Sequence, residues 1–136
     1  IQETPPNFTP HCSNCNGTQQ HTLQRRMTTM PRCLVIRLQR WTETRQILTH
    51  QIFPDFQIVI PNTNNVTYTL KAVVIHQGST IENGHYYCYV CHGTTEQDWW
   101  YYNCLPPTRL KVSYSTVCTQ HQKTDKSYIL FYERQL

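Results

Sequence analysis

Tyr68-Thr69-Leu70-Lys71-Ala72-Val73-Val74-Ile75-His76, a loop from Gln77 to Gly84, and His85-Tyr86-Tyr87-Cys88-Tyr89-Val90-Cys91 together decide the fold class. Both runs are dense in β-branched and aromatic side chains and too short for ordinary helices, so they read as strands. The connecting loop carries glycines near both ends. Downstream, Gly93 to Asp98 reads as a turn and Trp99 to Tyr102 as an aromatic strand. Pro106-Pro107 is expected to break the chain, and Ser127 to Glu133 reads as the last strand. Upstream, Arg32 to Trp41 follows Pro31 and reads as a buried strand, and Phe56 to Ile60 forms a shorter one between two X-Pro pairs. No segment holds a long 3.6-residue period, and a short helix over Tyr114 to Thr119 is the most the pattern allows. Strands that succeed one another through short loops imply a mainly antiparallel sheet.

Composition excludes several classes. The 136 residues are 38% apolar and 15% charged, with a net charge of +4. Such low charge density does not suit a disordered, charge-extended chain. Arg25-Arg26 is the longest basic run, which gives no nucleic-acid footprint. No apolar stretch reaches the roughly 20 residues of a membrane span. The opening Ile1-Gln2-Glu3-Thr4-Pro5-Pro6 has no signal-peptide pattern and no initiating Met, so a fragment or a processed product is expected. The seven cysteines are an odd number, which favours a reducing compartment over a disulfide framework. Three Asn-x-Thr triplets, at Asn7, Asn16 and Asn65, keep open a secreted cysteine-rich binding module.

Four segments carry chemistry, each with a plainer alternative. Cys12-Ser13-Asn14-Cys15 on a tight knuckle can supply two corners of a zinc tetrahedron, or be two ordinary thiols. Cys88 and Cys91 are a tempting second pair, but strand alternation sends them to opposite faces. Met30 to Trp41 is by itself only a core strand. His76-Gln77-Gly78 with Gly84-His85-Tyr86 places His85 at the mouth of a strand beside a loop, a suitable seat for a general base. A histidine packed among tyrosines for structural reasons would look the same. Trp100-Tyr101-Tyr102-Asn103 could bring the Asn103 amide to His85 from a neighbouring strand and fix its tautomer. Otherwise Asn103 closes an Asx turn before the prolines.

In order and spacing these segments resemble the second half of the ubiquitin-specific protease domain, a papain-like fold of fingers, palm and thumb. Cys12 and Cys15 match the C-x-x-C that ends the fingers. Pro31, Leu34, Ile36, Leu38, Arg40 and Trp41 follow the pattern P-x-x-L-x-I-x-L-x-R-F, with Trp for Phe. Phe53-Pro54, Tyr68 to Gly78, Gly84-His85-Tyr86, Trp100 to Asn103 and Tyr128 to Arg134 complete the likeness, which covers nearly the whole chain after Thr9.

The resemblance implies an α+β fold: residues 1–30 as the end of the fingers and residues 31–136 as the palm, without the thumb. It implies thiol hydrolysis of the isopeptide bond after the ubiquitin C-terminal glycine, with His85 and Asn103 as catalytic residues. Gly78, Glu82, Gly84 and Tyr86 would border the channel for the ubiquitin tail, with Glu82 facing an arginine there. Cys12 and Cys15 would be half of a structural Zn2+ site, and catalysis would need no cofactor. The partners would be ubiquitin or a ubiquitinated protein and the missing N-terminal half of the domain, with no nucleic acid and no membrane. The location would be cytoplasmic or nuclear. Two departures stand out: Cys104 occupies the place where the family usually has Asp, and no segment matches the G-N-T-C type that bears the family's nucleophile. A catalytically inactive ubiquitin-binding relative is therefore the alternative.

Overall fold

The computed structural model describes residues 11–18, 27–48, 50–61, 65–80, 82–119 and 125–135. Of the expected 1–30 unit, residues 1–10 and 19–26 lie outside them. What is described there is a small hairpin, β1 (His11–Cys12) with β2 (Gly17–Thr18). Its turn is closed by the Asn16 N–H donating to the Cys12 carbonyl at 2.9 Å, and Asn16 takes a left-handed φ of 55°. Asn tolerates that region better than most residues.

The remaining strands are β3 (Cys33–Arg37), β4 (Gln57–Ile60), β5 (Val66–Gln77), β6 (His85–Cys91), β7 (Trp99–Cys104), β8 (Pro107–Val112) and β9 (Asp125–Arg134). Among the described residues one short helix, α1 (Tyr114–Cys118), lies between β8 and β9. The sheet runs β3-β9-β5-β6-β7-β8, β4 adds to β5, and every pairing is antiparallel. The chain is thus the mainly antiparallel, helix-poor α+β structure anticipated. Among the described residues no helix is long and apolar enough to cross a membrane.

Pairing departs from sequential order at one point. The last strand does not take an edge; β9 inserts between β3 and β5. Its residues are buried or half-buried almost throughout, as suits a strand covered on both faces. The core lies on one face of the sheet, where Leu70, Val73 and Ile75 of β5 meet Tyr89, Cys91, Trp99, Leu130 and Tyr132. Leu70 and Val73 are three residues apart and would point to opposite faces in a regular strand. A register shift between Leu70 and Ala72 resolves this by inserting one residue, which returns Val73 to the core.

Two expectations need correction. Pro106-Pro107 does not break the sheet. Leu105 and Pro106 form a two-residue turn closed by the Cys104–Pro107 pair, and Pro107 starts β8. As the outermost strand β8 tolerates a residue without an N–H, which is why Pro can stand there. The strand anticipated over Arg32 to Trp41 is regular only over Cys33–Arg37. Beyond it Arg40, 2% exposed, turns inward; its Nε donates to the Ser127 carbonyl and its Nη1 to the His50 carbonyl, both at 2.6 Å. Trp41 then bridges to Ile47. Arg40→Ala strips both carbonyls of a charged donor. It should lower stability by about 3 kcal/mol, read from urea denaturation of the folded protein.

Helix α1 is started by Ser113, whose side chain accepts the Thr116 N–H at 3.2 Å. It seats Val117 in the core. Tyr114 stacks on Trp99 with ring centroids 5.8 Å apart and donates its hydroxyl to the Pro54 carbonyl at 2.6 Å. The 50–56 segment is thereby tied over the sheet beside α1.

Candidate active site

The site forms where β6 begins and β7 ends. The pair Cys88–Tyr102 sets the register of this hairpin, so Asn103 stands level with Tyr87, one same-face step from His85. The His85 Nε2 lies 2.6 Å from Asn103 Oδ1. Leu105 orients the amide: Asn103 Nδ2 donates to the Leu105 carbonyl, and Oδ1 accepts the Leu105 N–H, both at 3.2 Å. With Oδ1 so assigned, His85 must donate through Nε2 and keep Nδ1 free to accept a proton. The tight turn at Leu105 and Pro106 therefore sets the tautomer of His85. The Asn103 side chain makes an Asx-like contact and faces His85 at once; the two readings of the sequence describe one arrangement.

The loop before His85 is closed at its neck. A Cβ on Gly84 would overlap Nε2 of His76 and come within 2.9 Å of the Gln77 carbonyl. One on Gly78 would lie 2.6 Å from the Asn83 carbonyl and 3.0 Å from the Gly84 Cα. The glycines serve close approach here, since neither has a positive φ. At the loop tip Asn83 N–H donates to Thr80 Oγ1 at 3.1 Å. Glu82 forms an exposed ion pair with Arg45 at 3.1 Å, so its carboxylate has an internal partner. Tyr86 is 48% exposed, with its ring against His76 at 4.9 Å and Tyr128 at 6.1 Å.

The sequence reading gave His76 no role beyond its motif. The structure makes it the buried floor of this neck, in edge contact with Trp41 at 5.3 Å. Burial pushes its pKa below the ordinary histidine value, which favours the neutral ring. The signal was available: a His separated by one residue from the first of two glycines that bound the loop.

The thiols of the chain are not activated by this geometry. All seven are free. Cys88 lies on the strand face opposite His85, and burial pushes its thiol up. Burial does the same for Cys91 and Cys118, and the Cys91 Sγ points at the Gly93 and Thr95 carbonyls. Cys104 is exposed and follows Asn103 on the other face of β7. At the small hairpin the Cys12 thiol is pushed down by hydrogen bonds from the Cys15 and Asn14 backbone and from the Cys15 side chain. Such a pair fits two ligand positions of a thiophilic ion. Among the described residues no third Cys, His, Asp or Glu joins it.

The sequence and the fold of this chain are matched in known proteins. Residues 7–132 fit the sequence profile of the family described as ubiquitin carboxyl-terminal hydrolase. The chain belongs to this family. The human ubiquitin carboxyl-terminal hydrolase 2 is 30% identical over 133 residues, covering 91% of this chain and 20% of the relative. The Drosophila melanogaster hydrolase Usp2 is 31% identical over 134 residues, covering 92% of the chain and 13% of its own length. Ubiquitin carboxyl-terminal hydrolase 3 of Mus musculus is also 31% identical, covering 91% and 25%. A yeast SAGA DUBm structure with a mutant Sgf73 superposes with TM-score 0.70 at 23% identity, covering all of this chain and 30% of that one. A SAGA Ubp8/Sgf11/Sus1/Sgf73 module bound to ubiquitin aldehyde gives 0.66 at 22%, covering 100% and 31%. These two share the fold. The chain spans about a fifth of the human relative's length.

Proposed function

We propose that this chain supplies the base and its orienting amide to a cysteine-type deubiquitinase, a hydrolase of the isopeptide bond after the ubiquitin C-terminal glycine. The observation that carries the proposal is the His85–Asn103 contact of 2.6 Å with Nδ1 left free. In this reading a thiol on a part of the protein outside this chain loses its proton to His85 Nδ1 and attacks the carbonyl as thiolate. The same nitrogen then returns the proton to the departing lysine amine, and water releases the acyl group. Asn103 holds the imidazolium in place through Nε2–H. The family membership supports this reaction class, as does the ubiquitin aldehyde in the Ubp8 assembly named above.

Gly78, Gly84 and Tyr86 would border the ubiquitin tail, and Glu82 would exchange Arg45 for an arginine of that tail. Cys12 and Cys15 would hold a structural zinc ion with two further ligands from the rest of the protein. Residues 1–30 would belong to the fingers and 31–136 to the palm, and the whole protein would act in the cytoplasm or nucleus. A catalytically inactive ubiquitin-binding relative is the second reading; it leaves the oriented His85–Asn103 pair without a use.

The test is labelling by ubiquitin carrying a C-terminal electrophile. This chain alone should not be labelled. The catalytic domain that contains it should be labelled once, at a cysteine outside these residues. Labelling of the isolated chain at Cys88 or Cys104 would overturn the assignment, and binding without labelling by the complete domain would establish the inactive relative.

A further inference from the structure

We infer that His76 is a positioning residue for His85, acting through the pinched neck of the 77–84 loop; this rests on the reading of His85 as the base. His76 sits on β5 directly across from Tyr86, and Gln77 pairs with His85 itself. Its ring is 2% exposed and wedged between Trp41 at 5.3 Å and Tyr86 at 4.9 Å, with Tyr128 at 6.5 Å. Glycine backbone also lies against the ring. A Cβ at Gly84 would overlap the ring's Nε2, and one at Gly78 would lie 3.1 Å from its Cε1. One imidazole edge therefore fills the space beneath both ends of the loop.

Gly84 is covalently joined to His85. Any change in the height of the His76 ring moves Gly84 and, with it, the backbone from which the His85 side chain reaches Asn103. That reach has little slack. The contact is 2.6 Å, and Asn103 is clamped by Leu105 on its other side. A displacement of about 1 Å at a reacting group costs on the order of 100-fold in rate. Trp41, continuous with the buried Arg40, keeps the ring from retreating into the sheet.

The experiment is a double-variant cycle in the complete catalytic domain: His76→Ala, Gly84→Ala, the two combined, and His85→Ala as control. Inactivation by ubiquitin bearing a C-terminal electrophile gives the maximal rate and the half-saturating concentration separately, at a temperature where each variant is fully folded by its melting curve. His76→Ala should lower the maximal rate about tenfold while the half-saturating concentration stays within about twofold. Gly84→Ala should lower the rate about 100-fold or more, because its methyl drives against the ring. Combining the two should lose clearly less than the product of the single losses, since the methyl then has the vacated ring space and only its 2.9 Å approach to the Gln77 carbonyl remains. A combined loss equal to the product of the single losses, or a normal maximal rate in His76→Ala, overturns the inference. Should Gly84→Ala not fold, folding of the combined variant supports it. If neither folds, the maximal rate of His76→Ala decides. Full activity of His85→Ala would instead sink the reading of His85 as base, and this distinguishes the two failures.

Discussion

Replacing His85 with alanine should slow ubiquitin-electrophile labelling of the catalytic domain by about 1,000- to 10,000-fold near neutral pH. A free thiol is only a few per cent thiolate at that pH, and it needs an adjacent base to attack efficiently. In the proposed reading Nδ1 of His85 takes this task, because Nε2–H is taken by Asn103 at 2.6 Å. Asn103→Ala should cost less, about 10- to 100-fold, since it removes one hydrogen bond to a charged ring and leaves the base present. The order of the two losses is diagnostic. A larger loss for Asn103→Ala would mean that its clamp on Leu105 matters for folding, and a melting curve would show it. Equal and small losses would place the base elsewhere.

The largest effect on stability should come from Trp99→Ala, at about 4 kcal/mol in urea denaturation of the catalytic domain. Trp99 is fully buried in β7 and stacks on Tyr114 of α1. Removing the indole empties the core beneath the helix. It also frees Tyr114, whose hydroxyl anchors Pro54. Against a typical total of about 5–15 kcal/mol, such a loss is a large fraction of the whole. Trp99→Phe keeps most of the ring contact and should retain more than half of the lost stability. A loss under about 1 kcal/mol for the alanine variant would show that α1 collapses into the space left behind.

Most of the sheet is legible because its strands differ sharply from their surroundings. The Tyr68 to His76 and His85 to Cys91 runs alternate or stay apolar, and glycine-bounded or polar loops separate them. The helix at Tyr114 was visible from the lack of any other pattern between Val112 and the last strand. β8 was not legible, since its apolar content is low and two prolines precede its polar middle. Only its place at the sheet edge makes such a strand tolerable. The shift at Leu70 was likewise hidden, because a bulge is set by the partner strand and not by local composition. At the site, residue types and spacing brought His85 and Asn103 into view. The tautomer was not readable, as it depends on which side of the Asn103 amide the Leu105 backbone occupies. The place of His76 beneath Gly84 is likewise tertiary: the side chain that Gly84 lacks is the volume that the His76 ring takes.

The insertion of β9 has a consequence for how the protein is made. A nascent chain emerging from the ribosome can form the β5–β6–β7–β8 meander as it appears, since each strand finds its predecessor. β3, synthesised long before, has no partner strand among the described residues until β9 arrives to bridge it to β5. Until then the chain carries two open edges whose unpaired amides invite pairing with other molecules. Translation that stops before Asp125 thus leaves an incomplete sheet and a separate, unpaired β3 and not a slightly shorter domain, and chaperone demand during synthesis should be concentrated in the interval before β9 is released.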